Sequence, residues 1–187
     1  MRLHSLTACL LLLATLSGCR SPSATLRGLA QDQRDDVLTP LKNSEDAKAL
    51  EQRLQQRAGK VLKLLAEEDV GSAADHYYAA LVLVQCPQAA DLERANELAL
   101  AAAELGEARG FRVAAEALDK QMLKRGMLQR YGTQFVWEPV LRAWRLYPVD
   151  PRTTDAERKA MGVPALEELK QQEAALNQGQ KSGSKGR

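Results

Sequence analysis

The sequence predicts a mainly α fold: an antiparallel helical bundle or a short stack of helix pairs, with a C-terminal β-hairpin and a closing helix. Three observations predict it. Apolar residues recur at helical spacing from Leu26 to Met122. Gly and Pro break that pattern into segments of ordinary helix length. Five of the eight aromatic residues then crowd between Tyr131 and Tyr147, where the spacing is no longer helical.

Leu26, Leu29, Ala30 and Val37 outline a short opening helix that closes before Pro40. Ser44 can cap the next, with Glu45 and Asp46 in its first turn. Its stripe is Leu50, Leu54, Ala58, Val61, Leu62 and Leu65, and Gly71-Ser72 breaks it. Ser72-Ala73-Ala74-Asp75 has the form of a capping box with Asp in place of Glu. The helix it opens runs through Tyr77, Tyr78, Leu81, Val82 and Val84 to Pro87. Asp91 caps a fourth helix, with Leu92, Ala95, Ala99, Ala102 and Leu105 on one face and Gly106 at its end. A fifth spans about Ala108 to Arg125, turns Phe111, Ala115, Leu118 and Met122 inward, and ends at Gly126.

Thr133-Gln134-Phe135-Val136-Trp137 and Ala143-Trp144-Arg145-Leu146-Tyr147 are β-prone, and Pro139 and Pro148 discourage helix. They predict a two-stranded hairpin over about 133–148. A lone hairpin is marginal in water, so its Trp and Phe rings should pack on the helices. Thr154-Asp155 starts a short helix ended by Gly162. Pro164 suits the first position of a last helix to about Asn177. Gln178 to Arg187 is Gly-, Ser- and Lys-rich and reads as a disordered tail.

The chain opens with Arg2, an apolar run from Leu6 to Leu16, then Ser17-Gly18-Cys19. The run is 11 residues long and Arg20 follows at once, whereas a membrane span needs about 20 apolar residues. Charge, apolar core and small residues are the parts of a secretory signal. The order Leu16-Ser17-Gly18-Cys19 resembles the lipobox of bacterial lipoproteins. That resemblance implies removal of residues 1–18 and a diacylglycerol thioether on Cys19, with a further acyl chain such as palmitate on its amine. Two or more chains hold a protein stably on a bilayer. Arg20, rather than Asp, follows the cysteine, which in a Gram-negative cell implies the outer membrane, facing the periplasm. Residues 19–25 then form a tether; Arg20 to Thr25 reaches about 20 Å when extended. Residues 26–177 form a single helical domain.

Lys and Arg number 26 and Asp and Glu 24. Arg2, Lys181, Lys185 and Arg187 lie in the leader or the last seven residues, so the body is slightly acidic. No basic face follows from this balance, and nucleic acid is not an expected partner. Cys9 leaves with the leader, and acylation of Cys19 leaves Cys86 as the free thiol, so no internal disulfide is expected.

Ala79-Ala80-Leu81 recurs loosely as Ala114, Ala115 and Leu118, 35 residues on. That period and its small residues are similar to tetratricopeptide-like helix pairs. From about Asp75 onward the chain also resembles an uncharacterised bacterial family of small helical proteins. The match rests on Gln129-Arg130-Tyr131-Gly132-Thr133-Gln134-Phe135, preceded by Leu118-Asp119. Trp144-Arg145-Leu146-Tyr147-Pro148-Val149-Asp150 follows, then Asp155 to Leu166. Asp32-Gln33 looks like that family's early Asp-Gln. The resemblance implies no settled activity. Where the family often has Gln-His and an acid followed by Arg, this chain has Gln85-Cys86 and Asp119-Lys120.

No catalytic constellation is legible. His76 precedes two tyrosines on an apolar helix and reads as a packing or capping residue. A His76–Cys86 dyad fails on geometry, because ten helical residues span about 15 Å, whereas a nucleophile and its base sit about 3 Å apart. With His4 in the leader, one His and one free Cys remain and make no zinc site; Gly-rich phosphate loops are absent, and no metal or cofactor is expected. The candidate ligand-binding set is Asp119, Gln129, Tyr131, Thr133 and Gln134. Asp119 lies in an apolar helix, where its carboxylate can accept backbone N–H groups from the Tyr131-Gly132-Thr133 turn and pin the hairpin to the bundle. Alternatively Tyr131, Thr133 and Gln134 line a cleft for a small polar ligand. The expected function is a membrane-anchored, non-catalytic interaction or scaffold module, engaging another envelope protein or cell-wall material. The alternative is an envelope hydrolase with Asp119 as general base, helped by Tyr131 and Gln134.

Overall fold

The computed structural model describes residues 21–67 and 70–183, with side chains to residue 178. The expected leader, Cys19 and residues 184–187 of the tail lie outside the described residues.

Helix α1 (Pro22–Leu38) begins earlier than its apolar stripe. The Ser21 hydroxyl accepts the Ala24 N–H at 3.2 Å, and Pro22 takes a first helical position. Most of the expected 19–25 tether is therefore helix. α1 buries Leu26, Leu29, Ala30 and Gln33, whereas Val37, expected inside, is 43% exposed. Helix α2 (Ser44–Glu67) is capped by Asn43, not Ser44: the Asn43 Oδ1 accepts the Asp46 N–H at 2.8 Å, and Asp46 accepts the Lys42 N–H. Leu54, Ala58 and Val61 are buried, but Leu62 is exposed. At 100° per residue Leu62 stands well off the line through Leu54 and Val61.

Helix α3 (Ala73–Leu83) has the expected reciprocal cap between Ser72 and Asp75, at 3.1 and 3.2 Å. It ends at Leu83, before Pro87. Helix α4 (Ala89–Glu104) starts at a Gln88 cap; Asp91 stands in its first turn instead, its charge near the positive helix end. Leu92, Ala95, Ala99 and Ala102 are buried, while Leu105 lies past the last helical turn and is exposed. Helix α5 (Gly110–Lys124) buries Ala115 and half-buries Phe111, Leu118 and Met122. Gly106 and Gly126, at φ +102° and +69°, terminate α4 and α5.

α4 runs antiparallel to α5: the Gln121 amide reaches the Leu92 carbonyl, and Gly110 lies against Ala99 and Ala103. A Cβ on Gly110 would collide with the Ala99 carbonyl, so glycine sets how closely the two helices approach. α1 and α5 run parallel to α3: Arg27 meets Tyr78 and Gln33 the Val82 carbonyl, while Arg109, at the start of α5, meets Tyr77 and Lys120 the Val84 carbonyl. α2 and α4 run the other way, the alternation shared by an antiparallel bundle and by stacked helix pairs. The main core is built from these five helices, with many alanines at their contacts.

Strands β1 (Phe135–Glu138) and β2 (Ala143–Leu146) pair antiparallel, with Phe135 opposite Leu146 and Trp137 opposite Trp144. Phe135 and Leu146 pack on a second small core of Ala115, Tyr131, Val163 and Leu169. The tryptophans pack edge-on against one another, centroids 5.8 Å apart. Helix α6 (Asp155–Ala160) is capped reciprocally by Thr154 and Glu157 and ended by Gly162 at φ +63°. Helix α7 (Leu166–Gly183) starts two residues after Pro164 and runs beyond Asn177. The result is mainly helical, with a C-terminal hairpin and a closing helix, as its periodicity predicts.

Candidate functional site

Asp119 is fully buried on α5. Its Oδ1 accepts the N–H groups of Arg130 and Tyr131 at 2.7 and 2.9 Å. Its Oδ2 accepts those of Gly132 and Thr133 at 3.0 and 2.9 Å, and the Thr133 hydroxyl at 2.8 Å. Four successive amides aim at one carboxylate because Gly132 sits at φ +92°, where a side chain would be strained. Desolvating a charge is costly unless donors replace its water, and five donors do so here.

Gln129 is also fully buried and acts as a short substitute strand. Its Oε1 accepts the Gln134 N–H at 2.9 Å, and its Nε2 donates to the carbonyls of Gln134 and Tyr147 at 3.1 and 2.7 Å. Its own backbone bridges to Val149. Tyr131 is buried beside it, and Thr133 and Gln134 are half-buried, joined by a 2.8 Å bond from the Gln134 amide to the Thr133 hydroxyl. The structure thus brings all five sequence candidates together. They form a joint between α5 and the hairpin, with the lone pairs of Asp119 directed at main-chain donors. A general base needs a carboxylate open to substrate; this one is enclosed.

Three supports of the joint have no clear sequence signal. Arg158, 2% exposed, donates to the carbonyls of Tyr131 and Thr153 at 3.2 and 2.8 Å and pairs with Asp155 at 2.9 Å. From α7, Glu173 accepts the Leu146 N–H at 2.8 Å, and Asn177 exchanges two bonds with Trp144. Cys86 is buried, its thiol directed at the carbonyls of Leu54 and Val82, and burial pushes its pKa up to about 12. His76 is half-buried on α3, and its Nδ1 has no partner among the described residues. Among the described residues no group of three or more His, Cys, Asp or Glu side chains could hold a metal ion, and no helix is long and apolar enough to cross a membrane.

An open groove of about 420 Å³ lies elsewhere, between α1 and α3. Arg27, Arg34 and Arg109 line it with Tyr77 and Tyr78, and among the described residues no carboxylate does. The Arg27 guanidinium stands 5.5 Å from the Tyr78 ring, and that of Arg109 4.4 Å from Tyr77. Arg109 is held in a fork by Glu107, at 2.7 and 2.6 Å. Arg27 and Arg34 have no ion-pair partner among the described residues. Gln33 forms part of the wall; its Nε2 donates to Val82 at 2.5 Å and its Oε1 has no donor among the described residues. Val37, Leu38 and Leu81 make the other end apolar, with Leu38 70% exposed. Net charge hid this basic patch because Arg27 and Arg34 of α1 join Arg109, the cap of α5, on one side of a slightly acidic body. Comparison with family models, with curated proteins and with solved structures gives no match to this chain.

Proposed function

We propose that this chain is a lipid-anchored lipoprotein of the bacterial cell envelope, held by Cys19 at the outer membrane facing the periplasm, and that it works as a non-catalytic interaction module. The groove between α1 and α3 carries this reading, because it leaves cationic, aromatic and apolar side chains together at the surface. The order Leu16-Ser17-Gly18-Cys19 supports the anchor. The enclosure of Asp119 argues against the hydrolase alternative, since its oxygens already serve five donors. The Tyr-Gly-Thr-Gln segment supports membership of the uncharacterised helical family, in which this turn would be a structural joint.

The test combines anchoring and contact. Wild type and Cys19→Ser are grown with an alkyne analogue of palmitate, and a photoreactive residue is placed at Gln31 in the groove or at Lys170 on α7. The label should be lost in Cys19→Ser, and a crosslinked envelope product should form from position 31 but not 170. Label retained on Cys19→Ser, or equal crosslinking from both positions, would refute the reading.

A further inference from the structure

We propose that the groove between α1 and α3 receives an acidic amphipathic helix of a partner protein. This rests on the interaction-module reading above and names the partner's chemistry. Arg27 and Arg34 are seven residues apart on one helix, so they stand about 10.5 Å apart along its axis and on the same face. A second helix laid beside α1 repeats that interval between carboxylates two turns apart. Glu side chains at positions i and i+7 of a guest can therefore meet both guanidiniums at once. Arginine suits the role because its planar fork takes a carboxylate through two parallel bonds.

The groove's own charges favour an anionic guest. Three arginines line it and, among the described residues, no carboxylate does. Glu107 is occupied by Arg109, and Asp35 accepts the Gln31 amide at 2.9 Å, which leaves Arg27 and Arg34 to bind. Tyr78 lies beneath Arg27 and restrains it, which lowers the entropy lost when the guest docks. The apolar end formed by Val37, Leu38 and Leu81 offers the guest's hydrophobic face a seat. Together these are the features of helix-in-groove recognition: apolar anchors at helical spacing with a charged flank that sets direction.

The experiment uses the full-length chain in a mild detergent and a fluorescein-labelled synthetic helix with Glu at i and i+7 and Leu at i+3, i+4, i+10 and i+11. A second peptide carries Gln for each Glu. Fluorescence anisotropy should show saturable binding of the Glu peptide that weakens as salt rises. The Gln peptide should bind about tenfold more weakly, as should the Glu peptide to Arg27→Gln/Arg34→Gln, since each partly exposed ion pair contributes modestly. Both arginines lie outside the core, and an unchanged circular dichroism melt of the double variant confirms that the fold is intact. Equal binding of the two peptides, or no loss in the double variant, overturns the proposal. Arginine-dependent binding of Cys19→Ser to phosphatidylglycerol vesicles, with none to the peptide, also overturns it and makes the groove a lipid-headgroup site. If position 31 still crosslinks an envelope product while the Glu peptide fails to bind, the module reading stands and the acidic-helix proposal falls.

Discussion

Trp144 and Asn177 form a closed two-bond pair: the Trp144 N–H donates to the Asn177 Oδ1 at 2.7 Å, and the Asn177 Nδ2 donates back to the Trp144 carbonyl at 2.9 Å. Glu173, one turn earlier on α7, takes the next outward amide of β2, that of Leu146. An edge strand normally leaves such groups to water or to another chain. Here a helix supplies them with side chains, so a hairpin that would be marginal alone is held on both sides: by Gln129 at its base and by α7 along its edge.

Asn177→Ala should therefore cost about 1–2 kcal/mol, because two backbone groups lose their partner. Gln178→Ala, at the neighbouring exposed position, should stay within about 0.5 kcal/mol. Urea melts of the two variants check this, and equal midpoints would show that the pair contributes nothing.

Asp119→Asn preserves shape but turns an amide N–H₂ toward donors that need an acceptor. The expected loss is about 3 kcal/mol or more, in line with leaving buried donors unpaired. The amide resonances of residues 130–133 should move more than those of α1. A melt like wild type, with those resonances unmoved, would contradict the joint.

Gly132→Ala and Gly110→Ala test two kinds of glycine. At Gly132 the backbone holds φ +92°, and an added Cβ would stand 2.6 Å from the Leu169 Cδ1. The clash is with the end of a side chain, not with main chain, so the cost should be about 1–3 kcal/mol, backbone strain included. At Gly110 the Cβ meets the main chain of α4, which cannot turn aside without moving the helix. Gly110→Ala should be the more damaging of the two in thermal melts; the reverse order would remove the close α4–α5 approach as its cause.

Burial raises the Cys86 thiol pKa to about 12. An unfolded thiol titrates at about 8.5. Above that pH the unfolded chain releases a proton that the folded chain keeps, so stability is full below it and falls as pH rises toward the folded value. Cys86→Ala should flatten this alkaline limb. At pH 8 the native thiol should resist iodoacetamide until denaturant is added; rapid native alkylation would contradict the burial.

Asp36 shows the opposite sign. Its hydrogen bond from Arg57, reinforced by Arg53, holds its carboxyl below the usual range against the opposing effect of burial. The stability it contributes is present above the ordinary aspartate range and is lost as pH falls through the lowered folded value. Asp36→Asn should reduce the acid sensitivity of the melt between α1 and α2; an unchanged acid limb would assign it to other carboxylates.

The Asp119 joint was legible because three local signals agree: an acid in an apolar helix, a nearby glycine, and a turn with free amides. The hairpin was legible from its aromatic runs. The arginine groove was not, because Arg109 and the tyrosines of α3 reach Arg27 and Arg34 of α1 only after the helices stack. The roles of Glu173 and Asn177 were equally hidden. Both side chains read as an ordinary polar helix face, and their partners are backbone groups whose exposure depends on tertiary docking. The α1 boundary failed for a different reason. Apolar spacing starts at Leu26, while the Ser21-Pro22 start signal is polar and precedes it.

The alanines at the helix contacts carry one further consequence. Ala80, Ala99, Ala114 and Ala117 are fully buried. Alanine sacrifices no rotamer freedom on folding, and only its single methyl group can be trimmed away. Nearly every other substitution adds atoms to a seam already at contact distance, and overfilling costs about 1–3 kcal/mol per site. Mutational drift along this seam is therefore one-sided. The lineage can change the outside of its helices freely, while the spacing between them resists change in one direction only, toward bulk.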